Sequence, residues 1–142
     1  MDHKQKIIAV LKKQSLCVIS TVSKENRPES ALVGFAELPD LSLIFGTSTT
    51  SRKYINLLHN DSVAFSISSI GKNERVTIQY EGKIKKLEGN ELAEGKKTFF
   101  LKNPHAKHYD LDPTQIFMKV IPRWIRYSDN TLVPNEIFEI TI

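Results

Sequence analysis

The chain has 142 residues, 40% of them hydrophobic and 25% charged, with a formal net charge of +4. That is enough for one domain with a core and too few for two, and the composition excludes collagenous, coiled-coil and intrinsically disordered classes. The lysines are scattered apart from short clusters at Lys12-Lys13, Lys83 to Lys86 and Lys96-Lys97, a solvated face with no nucleic-acid partner expected.

Asp2 to Gln14 reads as a helix, with Asp2 and Gln5 as a capping-box variant and Ile7, Ile8, Val10 and Leu11 as its apolar face. Met1 to Lys6 lacks the apolar region of a signal peptide, and no apolar run reaches bilayer length. The expectation is a cytoplasmic protein with no membrane association, forming a single domain over 1–142. A strand follows from Leu16 to Val22; its Cys17, the lone cysteine, excludes an internal disulfide and reads as a buried core thiol. A polar turn, Ser23 to Pro28, leads into a second strand, Glu29 to Ala36. Leu38-Pro39-Asp40 turns the chain into a third, Leu41 to Phe45.

A helix from Ser51 to about His59 comes next. Ser62 to Ser69 alternates as a strand, and Gly71-Lys72-Asn73 is a turn. Arg75 to Leu87 is a long strand with Val76, Ile78, Tyr80, Gly82 and Ile84 on one face and Arg75, Thr77, Gln79, Glu81 and Lys83 on the other. Glu91 to Leu101 is helical and ends at Pro104. Gln115 to Ile121, Trp124 to Tyr127 and Glu136 to Ile142 read as closing strands, with Asp129-Asn130 as a turn. Strands that run consecutively, without alternating helices, make an antiparallel sheet. The predicted fold is mainly β: a small barrel with short helices at its ends.

One segment carries chemistry. Thr47-Ser48-Thr49-Thr50-Ser51-Arg52-Lys53 gathers hydroxyls and two cations where a helix begins. The first turn of a helix leaves N–H groups unpaired and carries partial positive charge, so Asp or Glu would be stabilising there and Arg or Lys are not. Cations at that end call for an anion, and the combination describes a phosphate site. The alternative is an ordinary Ser51 cap followed by two solvated cations.

The remaining signals are weaker. Thr77 and Gln79 share one strand face, either as solvated polar groups or as hydrogen-bonding partners for a heteroaromatic ring edge. His105 and His108 lie near Asp110 and Asp112 but lack a metal-site spacing, and no metal is expected. Trp124 reads as a core or subunit-interface anchor, with ligand stacking as the alternative. No P-loop, dinucleotide fingerprint or Ser-His-Asp motif occurs.

Three stretches, in this order, resemble the pyridoxamine 5′-phosphate oxidase-like family of FMN-binding split β-barrels. Thr47 to Lys53 is similar to the family's Thr-Asn-x-x-Ser-Arg-Lys segment. Thr77-Ile78-Gln79-Tyr80-Glu81-Gly82-Lys83 is similar to its polar-x-polar-x-x-Gly strand. Val120 to Tyr127 is similar to its Val-x-Pro-x-x-Ile-x-aromatic strand. The resemblance covers nearly the whole chain. It implies a six-stranded antiparallel split barrel that forms a homodimer, with FMN in clefts between the subunits. By position it implies that Arg52 and Lys53 hold the phosphate with Thr47 and Ser51 nearby. Ala31-Leu32-Val33-Gly34 would run along the ring through backbone groups, and Thr77 with Gln79 would meet the cofactor from the long strand.

The chain departs from true pyridoxamine phosphate oxidases, which have an Arg near Ala31, a Lys near Ala36 and a late Arg-Leu-His-Asp-Arg segment; here Ser128-Asp129-Asn130-Thr131 stands in that region. The resemblance is therefore to the short, general-stress-type or uncharacterised members. It implies a flavin-dependent oxidoreductase of a small substrate, with two alternatives: a non-catalytic flavin-binding or sensing module, or a relative that binds haem or a deazaflavin.

Overall fold

The computed structural model describes residues 1–142. Helix α1 (His3–Lys13) opens on the predicted capping box: Gln5 N–H donates to Asp2 Oδ1 at 2.8 Å, and Asp2 N–H donates to Gln5 Oε1 at 2.9 Å. Its Ile7, Val10 and Leu11 are buried in the main core. The hairpin β1 (Leu16–Val22) and β2 (Pro28–Glu37) follows, then β3 (Leu43–Ser48), α2 (Arg52–His59), β4 (Ser62–Gly71) and β5 (Glu74–Lys86). Helix α3 (Gly89–Lys102) and a 3-10 segment (Pro104–Leu111) lead to β6 (Gln115–Asp129) and β7 (Glu136–Thr141).

All pairings are antiparallel, in the order β3-β2-β1-β4-β5-β6-β7. β3 also pairs with β6. Six strands thus close into a barrel, and β7 is added on the outer edge of β6. Residues alternate as a half-buried strand requires: Val76, Ile78, Tyr80 and Gly82 of β5 are buried while Gln79, Glu81 and Lys83 are exposed. The barrel interior holds Phe35, Leu43, Phe45, Phe65, Ile67, Ile78, Tyr80, Val120 and Ile125.

Beyond shifts of one or two residues at element ends, β3 and β6 differ from the sequence reading. β3 begins at Leu43, because Leu41 takes φ 73° within a turn in which Leu38 N–H donates to Ser42 O at 2.8 Å. That left-handed conformation is unusual for a bulky residue; here the Leu41 carbonyl accepts a 2.7 Å hydrogen bond from the buried Tyr80 hydroxyl. β3 then runs on through Thr47 and Ser48, which pair with Ile116 and Gln115 of β6. The two predicted strands around Pro122 are one, β6, which passes the proline with a bulge: Glu81 pairs with Trp124 and Gly82 with Pro122, so Arg123 is the extra residue.

Outside the barrel, α3 covers a second cluster of Ala36, Ile44, Leu87, Phe99, Phe100, Ala106 and Phe117. Lys102 ties α3 down. Its Nζ donates to Leu11 O at 2.8 Å, pairs with Glu37, and lies 4.1 Å from the Phe35 ring centre. No helix is long and apolar enough to cross a membrane.

Candidate functional site

The end of β3 and the start of α2 form a hydroxyl-rich turn. Ser51 Oγ accepts from Tyr54 N–H at 3.2 Å, donates to Ser48 O at 2.9 Å, and lies 2.9 Å from Thr47 Oγ1. Ser48 Oγ accepts from Thr50 N–H at 3.1 Å and lies 3.0 Å from Thr114 Oγ1. These hydroxyls therefore bond within the turn and to Thr114 before β6, and fix the turn's shape. What the turn leaves without a partner is the backbone N–H of Arg52 and of Lys53, the first two donors of α2.

The two cations are not equivalent. Arg52 is exposed, with Nε 3.5 Å from Glu29 Oε1. Lys53 is half-buried and has no carboxylate partner; burial holds its ammonium below the ordinary lysine range. A desolvated ammonium without a carboxylate partner, carried by the first turn of a helix whose N–H groups are free, can receive an anion.

Glu29 was missed in the sequence. Its Oε1 also accepts from Asn56 Nδ2 at 2.9 Å, and Asn56 Nδ2 donates to Thr21 Oγ1 at 2.9 Å. Asn56 and Thr21 are both buried. An asparagine between Ile55 and Leu57 in a short helix was the available signal, since a buried amide must find partners.

On β2, Ala31 and Val33 face the barrel core, whereas Leu32 is 65% exposed and Gly34 faces α3. Phe35 N–H donates to Ser15 O, on the β1 side. By the alternation of an antiparallel ladder, the N–H and C=O of Ser30 and Leu32 point to the opposite edge. β3 pairs with β2 only at Phe35 to Glu37, so that edge is open. The positions Ala31 and Ala36 have little room for a cation, Ala31 packing on the core and Ala36 lying buried under α3.

Thr77 and Gln79 lie on the outer face of β5, where the register makes one row of Leu32, Val18, Ser66, Gln79 and Arg126 across β2, β1, β4, β5 and β6. No hydrogen bond or ion pair joins the side chain of Thr77 or Gln79 to that of Arg52 or Lys53 within one chain. Trp124, in the next row beside Glu81, is half-buried and outside both apolar clusters, which removes the core reading of this residue. His105 and His108 are exposed in the 3-10 segment, and no cluster of metal-ligating residues forms.

The sequence from residue 3 to residue 129 matches the family model described as pyridoxamine 5′-phosphate oxidase. The chain belongs to that family. No curated protein matches it in sequence. Among solved structures, the fold of this pyridoxamine 5′-phosphate oxidase family member is similar to that of a haem-binding protein from Mycobacterium smegmatis (TM-score 0.87, 14% identity, 99% of this chain and 58% of that one). It is similar to General Stress Protein 26 from Bacillus anthracis (TM-score 0.75, 24% identity, 99% of this chain and all of that one, 100%). It is similar also to HutZ, a haem storage protein of Vibrio cholerae (TM-score 0.66, 14% identity, 87% of this chain and 92% of that one). At these identities the likeness is one of fold.

Proposed function

We propose that this chain binds FMN with the flavin phosphate at the N-terminus of α2, and that it acts as a flavin-dependent oxidoreductase on a small substrate. The observation that carries the reading is Lys53, a half-buried lysine without a carboxylate partner in the first turn of α2, where the N–H groups of Arg52 and Lys53 are unpaired. Arg52 and Lys53 would hold the phosphate, on a turn fixed by Thr47 and Ser51. The open edge of β2 at Ser30 and Leu32 offers backbone donors and acceptors to a ring edge, and Thr77 and Gln79 would meet the cofactor from β5. The flavin, when bound, supplies the electron-transfer chemistry; the protein binds and orients it.

A homodimer belongs to the same reading. The outer face of β1 and β2 exposes Leu16 (53%), Val18 (39%) and Leu32 (65%), with Trp124 half-covered on β6, three strands beyond β1. A second copy on this face would cover them and bring another β5 face toward the α2 turn.

A second reading, haem, takes support from the haem proteins among the fold neighbours. Two of the four histidines fit it poorly: His3 stacks on Phe138 with ring centres 3.7 Å apart, and His59 ends α2 at the opposite end from the anion turn. The absorbance of purified protein, followed by titration with FMN and with haemin, separates the two. Saturable FMN binding supports the proposal, and a haem band without FMN binding overturns it. Stopped-flow reduction of the loaded protein by NADH and NADPH then tests catalysis, since failure with both favours a non-catalytic flavin module.

A further inference from the structure

We propose that Glu29 is a positioning residue, holding the Arg52 guanidinium for an anion at the start of α2. The inference rests on the phosphate reading above. The finding behind it is a chain of contacts in which only the last member is free to move. Thr21 and Asn56 are 2% and 5% exposed. Asn56 Nδ2 donates to Thr21 Oγ1 and to Glu29 Oε1, both at 2.9 Å, and the Glu29 side chain is 21% exposed. Arg52, 76% exposed, approaches the same oxygen through Nε at 3.5 Å.

An arginine presents five donors in a planar fork. Nε is the guanidinium nitrogen nearest Glu29, at ion-pair distance, which leaves the two terminal nitrogens for a second oxyanion. An exposed ion pair alone contributes little, in part because two long side chains must be ordered together. Here Asn56 has already ordered one of them. The same network fixes α2 to β1 and β2, so the cationic turn and the open edge of β2 keep a constant relation.

Charge and geometry predict opposite outcomes for one substitution. Glu29 is an anion close to where a phosphate would bind, so on Coulomb grounds Glu29→Gln should tighten FMN binding. If Glu29 acts by orienting Arg52, the same variant weakens it. The experiment is a fluorescence titration of FMN and of riboflavin, which lacks the phosphate, against the parent, Glu29→Gln, Arg52→Ala and the double variant. The expected result is at least about a twofold loss of FMN affinity in Glu29→Gln, the lower range for coupled groups in contact. Riboflavin affinity should not change, and Glu29→Gln should have no further effect when Arg52 is alanine. Unchanged or tighter FMN binding overturns the proposal, as does an equal loss in the Arg52→Ala background.

If Glu29→Gln does not fold, Arg52→Lys serves, because lysine keeps the charge but has no fork to divide between Glu29 and a phosphate. FMN affinity close to that of Arg52→Ala supports the proposal, and parental affinity overturns it. A parent that binds no FMN overturns the phosphate reading instead. The mobility of the Arg52 guanidinium then decides the positioning: a side-chain order parameter that is high in the parent and falls when Glu29 is replaced supports it, and a low one in the parent overturns it.

Discussion

Arg52 and Lys53 are consecutive cations in opposite circumstances: Arg52 faces Glu29 at 3.5 Å, and Lys53 has no carboxylate partner at all. The backbone explains the division. Both residues open α2, but successive helix positions point about 100° apart, and only Arg52 points to the start of β2. One cation thereby has a carboxylate of the protein beside it, and the other has none.

Lys53 gives the site a pH dependence whose sign follows from its burial. Its folded value lies below the ordinary 10.5. Between the folded value and 10.5 the unfolded chain binds more protons, so the stability of the ligand-free protein rises with pH in that window. Below the window both states are protonated and the cost of the buried ammonium is fully present. A bound phosphate favours the charged lysine, so FMN affinity should fall as pH rises through the folded value. Lys53→Arg should retain its affinity there, since arginine does not titrate. Parallel FMN titrations of parent and variant at increasing alkaline pH check this, and parallel curves would disprove it.

Gly82 and Gly34 make a matched test of the backbone. A Cβ on Gly82 would lie 2.5 Å from Ile121 O and 2.8 Å from Val120 Cγ1, within the bulge of β6. On Gly34 its nearest neighbour would be the Phe99 ring at an ordinary 3.5 Å. Gly82→Ala should cost about 1–3 kcal/mol, as overpacking does, while Gly34→Ala should stay near the parent. Chemical denaturation of both variants measures the difference.

Most of the fold was legible in the sequence because half-buried strands alternate. Val63, Phe65 and Ile67 of β4, and Val76, Ile78 and Tyr80 of β5, are buried as their period predicts. The continuous course of β6 was hidden by Pro122, which reads as a break until the bulge at Arg123 is seen to absorb it. Leu41 looked like strand because its side chain is apolar; its backbone is set by the tertiary bond from Tyr80, which no local pattern reports. At the site, the capping role of Ser51 and the position of Arg52 and Lys53 at the start of α2 were legible. The Glu29–Asn56 contact was not, because it joins residues 27 apart in sequence.

Cys17 should be chemically silent in the folded protein. Burial pushes its thiol up to about 12, with Lys102 offsetting only part of the shift. Reaction with a thiol reagent near neutral pH should be slow in the native state and immediate in denaturant. Fast native labelling would place Cys17 outside the core.

Trp124 should matter for assembly more than for the barrel, since it is half-buried and lies outside both apolar clusters. Trp124→Ala should shift the monomer–dimer equilibrium toward monomer by about 2 kcal/mol or more, as loss of an interface anchor does. Sedimentation at several concentrations measures it, and an unchanged equilibrium would remove Trp124 from the interface.

The central claim, that the start of α2 is a site for a flavin phosphate, is tested most directly by comparing FMN with riboflavin. Charge-assisted hydrogen bonds contribute about 1.5–3 kcal/mol each, so FMN should bind at least about tenfold more tightly than riboflavin. Arg52→Ala combined with Lys53→Ala should erase that preference while leaving the fold intact. Equal binding of FMN and riboflavin by the parent, or a preference for FMN that survives the double variant, would contradict the account.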